Sequence, residues 1–157
     1  MANVYFVDTS ALSKRYVDES GSSWLRSILS PTTNCTAYIV RITAVELIAA
    51  LTRRERGGSI SPSDAHAARS AIRAHIDAEY KVIEVTEALI EKAMILSERY
   101  GIRGYDAVQL AGAVEVNNRY AMNGLPPITL ISADQELNDA ATAQGLTVED
   151  PNLHIES

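Results

Sequence analysis

The sequence predicts an α/β protein, a three-layer α/β/α sandwich around a central, mainly parallel sheet. Short apolar runs typical of buried strands alternate along the chain with longer segments that have the helical period. This alternation favours parallel strands joined by helices that lie on both faces of the sheet. With 157 residues, 46% of them hydrophobic, the chain is large enough for one core, and we expect a single domain over residues 1–157.

Five short runs are predicted to be strands. The first runs directly into Asp8 and the fourth into Ser132, and both are largely apolar, as expected for strands in the middle of a sheet. The third alternates between apolar and polar residues, which is typical of an edge strand. The predicted strands are residues 4–7, 37–40, 82–85, 128–131 and 146–148.

Six segments with helical periodicity lie between these runs. A glycine directly follows three of them, as is common at helix ends, and Ser61 and Pro62 provide a cap and a first residue for another. A break near residues 20–22 interrupts the first segment. The predicted helices are residues 9–29, 43–56, 61–80, 87–100, 105–120 and 133–144.

Composition restricts the class of protein but leaves its partner open. No apolar run approaches the roughly 20 residues of a membrane helix, and Met1 is not followed by the cationic start of a secretion signal. The lone Cys35 excludes an internal disulfide, so we expect a cytoplasmic protein without a membrane partner. The net charge of −6 disfavours a nonspecific nucleic-acid binder, although carboxylates that surround a cation also count as negative.

Four acidic residues occupy corresponding ends of successive α/β units. Asp8 follows the first strand, Asp134 follows the fourth, and Glu46 and Asp106 lie near the starts of the second and fifth predicted helices. Each also has a structural interpretation: Asp8 and Asp134 as helix caps, Glu46 in a capping box with Thr43, and Asp106 as a first-turn acid. One sheet edge can gather all four, and their mutual repulsion would then favour a bound cation.

Oxygen ligands indicate Mg²⁺ or Mn²⁺ rather than zinc, because the three histidines, His66, His75 and His154, lie away from these positions. Basic residues that can contact substrate phosphates are Lys14, Arg15, Arg53 and Arg54, with Arg56 close by. The group at residues 53–56 is equally well explained as a solvated helix end that complements the helix dipole.

Four sequence blocks carry a resemblance to a known family. They are Val7-Asp8-Thr9-Ser10-Ala11-Leu12, Thr43-Ala44-Val45-Glu46-Leu47, Tyr105-Asp106-Ala107-Val108-Gln109-Leu110-Ala111 and Ser132-Ala133-Asp134-Gln135-Glu136-Leu137. In this order and at these separations the chain resembles PIN-domain ribonucleases, most closely the VapC-type toxins of bacterial toxin–antitoxin pairs.

The resemblance implies Mg²⁺- or Mn²⁺-dependent hydrolysis of RNA phosphodiester bonds. Asp8, Asp106 and Asp134 would hold the metal, and Glu46 would hold the ion or orient the attacking water. Ser10 and Ser132 would support these acids. The same resemblance implies a cognate antitoxin that covers the acidic groove, and a homodimer.

Three other classes of protein are compared with this one on the sequence. A metal-dependent phosphatase or phosphotransferase with an aspartyl nucleophile also places Asp after its first strand, but it usually has a second Asp where this chain has Ser10. A receiver-type domain would have paired acids before the end of the first strand and a lysine in a late strand, and neither is evident in this sequence. A noncatalytic interaction module, in which the four acids only cap helices, is the other alternative.

Overall fold

A computed structural model describes residues 2–154, whose core is a five-stranded sheet with every neighbouring pair parallel. The strands are β1 (Asn3–Val7), β2 (Cys35–Val40), β3 (Lys81–Ile83), β4 (Thr129–Ile131) and β5 (Thr147–Glu149). Their order across the sheet is β3-β2-β1-β4-β5. The five predicted strands are confirmed, including the edge position of the third, which ends at Ile83 rather than at residue 85.

The helices of the described residues match the predicted segments, with ends that differ by at most two residues and with the predicted break in the first segment. They are α1 (Thr9–Tyr16), α2 (Ser22–Leu29), α3 (Ile42–Arg56), α4 (Pro62–Ala78), α5 (Glu87–Tyr100), α6 (Gly104–Met122) and α7 (Gln135–Ala143), followed by a short 3₁₀ turn at Pro151–Leu153. The first predicted helix is two helices, because the chain leaves α1 at Val17 and Gly21 takes a left-handed φ of 84° before α2. The last helix begins at Gln135 because Asp134 caps it.

Two apolar clusters lie on opposite faces of the sheet and confirm the α/β/α sandwich. Phe6 and Val40 belong to the cluster that α5, α6 and α7 cover. The adjacent strand residues Val7 and Ile39 belong to the cluster that α1 to α4 cover. Successive strand side chains point to opposite faces, so each strand contributes to both clusters.

The topology places a cleft at the carboxyl ends of the two central strands. From β1 the chain continues to β2 and β3 on one side of the sheet, and later to β4 and β5 on the other. Strand order therefore reverses between β1 and β4, which is where ligands bind in open α/β sheets. Asp8 follows β1 and Ser132 follows β4 at this point.

Residues 1 and 155–157, which the predicted domain includes, lie outside the described part of the chain. Within residues 2–154, no helix is both long enough and apolar enough to cross a lipid bilayer.

The contact between α6 and β1 gives a stability prediction. A Cβ added at Gly112 would lie 2.7 Å from Cζ of the fully buried Phe6. We expect Gly112→Ala to destabilise the fold by about 1–3 kcal/mol through overpacking, despite the better helix propensity of alanine. Denaturant unfolding measures the change. Gly104→Ala is the control, because no atom lies within 4 Å of its added Cβ; equal stability of the two variants would contradict this packing.

Candidate functional site

Four carboxylates share the edge of the sheet at the carboxyl ends of its strands. Asp8 lies between β1 and α1, Asp134 caps α7 after β4, Glu46 lies in the second turn of α3, and Asp106 lies in the first turn of α6. Burial raises the pKa of Asp106 to about 6, and the charges of Asp134, Asp8 and Glu46 act in the same direction. The four acids are thus electrostatically coupled.

Asp8 is buried and receives its hydrogen bonds from neutral groups. Its Oδ2 accepts from Ser10 Oγ at 2.5 Å, from Ser132 Oγ at 3.1 Å and from the Ser10 backbone N–H at 3.3 Å. Burial raises the pKa of Asp8, and these hydrogen bonds oppose the rise. Asp8 therefore caps α1, as the structural interpretation expected, but it does so with its side chain only 4% exposed.

Ser10 and Ser132 join the ends of β1 and β4. Ser132 Oγ accepts from the Asp134 backbone N–H at 3.1 Å, and Ser10 Oγ accepts from the Ala133 backbone N–H at 3.0 Å. Asn138 donates to the Ser132 carbonyl at 2.8 Å. The two serines thus link Asp8 to the loop that carries Asp134.

Asp134 is also a helix cap, since its Oδ1 accepts from the Leu137 backbone N–H at 3.1 Å. Helix capping therefore explains the hydrogen bond that Asp134 accepts from Leu137. Its charge nevertheless contributes to the raised pKa of Asp106.

The capping box expected for Glu46 is wrong. Helix α3 begins at Ile42, so Glu46 is its fifth residue and cannot reach back to cap the helix. Its Oε1 instead accepts from Thr9 Oγ1 at 2.9 Å and from Gln109 Nε2 at 3.2 Å. Burial raises the pKa of Glu46; the two hydrogen bonds oppose this, and the charge of Asp8 adds to it.

Asp106 is the acid that capping does not explain. Its helix has Arg103 at the cap position, and no side chain caps that end. Within residues 2–154, Asp106 takes part in no hydrogen bond and no ion pair. Arg103 is near enough for its charge to oppose the raised pKa of Asp106. Asp106 is therefore a half-buried carboxylate without a direct partner.

Sequence reasoning missed a polar cluster behind Glu46. Gln109 Nε2 donates to Thr43 Oγ1 at 2.9 Å and to Thr9 Oγ1 at 3.1 Å, in addition to Glu46. Thr43 and Gln109 are at most 1% exposed. The signal that could have found this cluster is a polar residue inside a run of apolar and small residues, as Gln109 is in the run from Ala107 to Val114.

The cations expected to contact substrate do not touch the four acids. Lys14 is buried and pairs with Glu19 at 3.1 Å, and Arg54 pairs with the same glutamate. Arg15 pairs with Glu79 at 3.0 Å and donates to Tyr80 Oη at 2.7 Å. Arg53 is exposed and has no ion pair among the described residues.

The donor set fits a hard divalent cation. Carboxylate oxygens are the ligands that such ions prefer, and Asp106 offers a carboxylate that nothing else in residues 2–154 engages. No three His, Cys, Asp or Glu side chains of that range already converge into a metal cage. The four acids are thus coupled through their charges, and among the described residues no three of them are arranged as a metal site.

Comparison with solved structures shows the same fold in several proteins. VapC20 of Mycobacterium tuberculosis, a toxin that cleaves the sarcin–ricin loop, superimposes with a TM-score of 0.61 and 20% identity over 91% of this chain and 96% of that one. VapBC2 of Rickettsia felis was solved bound to a DNA fragment from its promoter. It superimposes with a TM-score of 0.58 and 15% sequence identity, over 94% of this chain and 98% of that one. A protein of Pyrobaculum aerophilum superimposes with a TM-score of 0.60 and 22% sequence identity, over 98% of this chain and 95% of that one.

A comparison with curated proteins finds no match. The PIN domain family model matches residues 5–142, which include all four acids. The sequence match, together with the parallel sheet and its acidic edge, leads to one conclusion: this chain belongs to the PIN domain family.

Proposed function

We propose that this protein is a divalent-metal-dependent endoribonuclease, the toxin of a type II toxin–antitoxin pair that acts in the cytoplasm, with Mg²⁺ as its ion and Mn²⁺ as a substitute. The observation that carries the proposal is Asp106, a carboxylate without a hydrogen bond or ion pair among the described residues, whose pKa is raised by burial and by the charges of the three other acids. Membership of the PIN domain family and the shared fold with VapC20, a ribosomal RNA-cleaving toxin, support it.

In this proposal three of the acids bind the metal ion and the fourth orients the attacking water. When bound, a divalent ion supplies Lewis-acid stabilisation of the charge that develops on the phosphodiester and makes water a stronger acid. Asp8, Asp106 and Asp134 hold that ion. Glu46 accepts a hydrogen bond from the attacking water and orients it towards phosphorus. Ser10 and Ser132 hold the Asp8 carboxylate in place.

The RNA backbone requires cations that are free to contact phosphate. Arg53 is suited to this because it is exposed and lies on the same helix as Glu46. Lys14, Arg15 and Arg54 would first have to release Glu19 or Glu79, so we assign phosphate contact to Arg53 before the other three.

The alternatives explain fewer of the contacts. A noncatalytic module in which acids only stabilise helix starts accounts for Asp8, for Asp134 and for the first-turn position of Asp106. It does not account for the hydrogen bonds of Glu46 or for the charges of the other acids that raise the pKa of Asp106. An aspartyl phosphatase would need a second acid at position 10, where Ser10 instead donates to Asp8.

The groove beside Asp106 suits the expected antitoxin. A cavity of about 700 Å³ lies between α5 and the start of α6, and it is lined mainly by apolar side chains that include Ile90, Met94 and Tyr105. Tyr105 immediately precedes Asp106. An antitoxin segment with apolar side chains for the groove and a basic residue for the acids would complement both surfaces. The homodimer remains a proposal that the mass of the free protein in solution tests.

Asp8→Asn tests the proposed activity. We expect the wild-type protein to cleave structured RNA only with Mg²⁺ or Mn²⁺, and the variant to lose at least about 100-fold in rate, because one metal-holding charge is removed. Circular dichroism verifies that the variant folds. Asp64→Asn is the matched control, since Asp64 lies in the first turn of α4 and is not one of the four acids at the carboxyl edge of the sheet. Equal RNA cleavage by Asp8→Asn and wild type would refute the assignment.

Metal binding is expected to stabilise the folded protein through Asp106. Mg²⁺ or Mn²⁺ at about 100 times its Kd raises the Tm of the wild type by about 5–10 °C, because the ion binds only the folded state. Asp106→Asn loses this increase without lowering the Tm of the metal-free protein. Asp64→Asn is the control, because Asp64 is a first-turn acid of α4. This variant keeps the metal-dependent increase in Tm and loses only about 0.3–1 kcal/mol of helix-dipole stabilisation. A lower metal-free Tm for Asp106→Asn would support the capped-acid account instead.

The raised pKa of Asp106 gives a pH prediction for the metal-free protein. Its folded-state value of about 6 lies above the unfolded value of about 3.9, so the folded state binds more protons between these pH values. Stability of the wild type relative to Asp106→Asn therefore falls as the pH rises from about 4 through 6. Urea unfolding of both proteins across this range measures the difference; a difference that does not change with pH would contradict the coupling of the four acids.

A further inference from the structure

Gln109 is a buried amide that contacts Glu46 from a different helix. It lies on α6, 1% exposed, three residues after Asp106. Its Nε2 faces three oxygens, those of Thr43, Thr9 and Glu46, at 2.9, 3.1 and 3.2 Å. Gln109 thus joins α6 to the start of α1 and to α3 at one point.

The hydrogen bonds fix which end of the amide faces Glu46. An ionised carboxylate only accepts hydrogen bonds, so an amide turned the other way would place its oxygen against another oxygen. The Thr9 hydroxyl donates its proton to Glu46 Oε1 at 2.9 Å, which leaves the Thr9 oxygen to accept from Gln109. The two donors therefore reach the same carboxylate oxygen from two different helices.

This orientation leaves the other end of the amide unsatisfied. Among the described residues, Gln109 Oε1 is buried and has no hydrogen-bond partner. A buried acceptor without a partner is destabilising, so a requirement for stability alone does not account for a glutamine at this position. What the residue provides is its two N–H donors, which Thr43, Thr9 and Glu46 share, and the contact with Glu46 connects Gln109 to the four acids.

We propose that Gln109 is a positioning residue that fixes the Glu46 carboxylate at the acidic edge of the sheet. The inference rests on the proposed ribonuclease function, in which Glu46 orients the attacking water. A glutamate side chain has three rotatable bonds, and the contacts from Thr9 and Gln109 restrict it to one arrangement. Because both donors are neutral, they hold Glu46 without a positive charge that would offset its negative charge, as a paired arginine would.

The test combines Gln109→Met with Glu46→Gln in a double-mutant cycle. Methionine keeps the length and volume of the side chain and removes the donor. We expect Gln109→Met to lower kcat by about 10- to 100-fold while KM and the Mn²⁺ concentration for half-maximal rate change by less than about threefold. In the Glu46→Gln background the same substitution lowers kcat no further.

A measurement without metal or substrate accompanies the kinetics. The Tm shifts of the same four proteins, without added divalent ion, are expected to be non-additive, because Gln109 and Glu46 act through one contact. Gln144→Met is the matched control: Gln144 accepts from Arg99 and Tyr100 at the far end of α7 from Asp134. It leaves kcat unchanged, and its Tm shift is additive with that of Glu46→Gln.

An unchanged kcat, an equal loss of kcat in both backgrounds, or additive Tm shifts would overturn the inference. If Gln109→Met does not fold, Gln109→Leu replaces it, since it removes the same donor to Glu46 with an apolar side chain of a different shape. The same pattern is expected from that variant. A wild type without metal-dependent RNA cleavage would instead refute the proposed function, and the Tm cycle would still decide whether Gln109 acts on Glu46.

Discussion

Repulsion among four carboxylates is the physical constraint on which the functional site depends. A parallel sheet brings the carboxyl ends of its strands to one edge, so acids that are far apart in sequence become neighbours. Hydrogen bonds hold the buried Asp8 there, whereas burial and the charges of the other three acids raise the pKa of Asp106. A buried or half-buried carboxylate without a direct partner is costly, and a cation that several such groups share removes this cost.

The hydrogen-bond donors around this edge are neutral, and this distinguishes it from the rest of the molecule. Hydroxyl and amide groups hold Asp8 and Glu46, while no lysine or arginine of residues 2–154 forms an ion pair with any of the four acids. Several glutamates elsewhere are paired with basic side chains, as Glu19 is with Lys14 and Glu55 is with Arg69. Neutral donors orient the carboxylates and leave their negative charge available, which is the arrangement that a cation site requires.

The sequence was sufficient for the fold and for the identity of the four acids, because both depend on local patterns. Apolar runs that end at Asp8 or before Asp134 predict where strands stop and helices start. The cluster of Thr9, Thr43 and Gln109 could not be predicted, because its members are up to 100 residues apart and meet only in the folded chain. The capping box of Glu46 failed because α3 begins one residue before Thr43, which moves Glu46 out of the capping position. The ion pairs of Lys14 and Arg54 with Glu19, and of Arg15 with Glu79, likewise could not be predicted, because they form in the folded chain.

The central claim is that Asp8, Asp106 and Asp134 hold one shared cation, and anomalous diffraction from crystals grown with Mn²⁺ tests it most directly. The account predicts a strong anomalous peak at the carboxyl edge of β1 and β4, with oxygens of these three carboxylates within about 2.0–2.6 Å of it, as hard cations require. Crystals that diffract well and show no peak at this edge, with each acid directed only to its own helix cap or to solvent, would contradict the account.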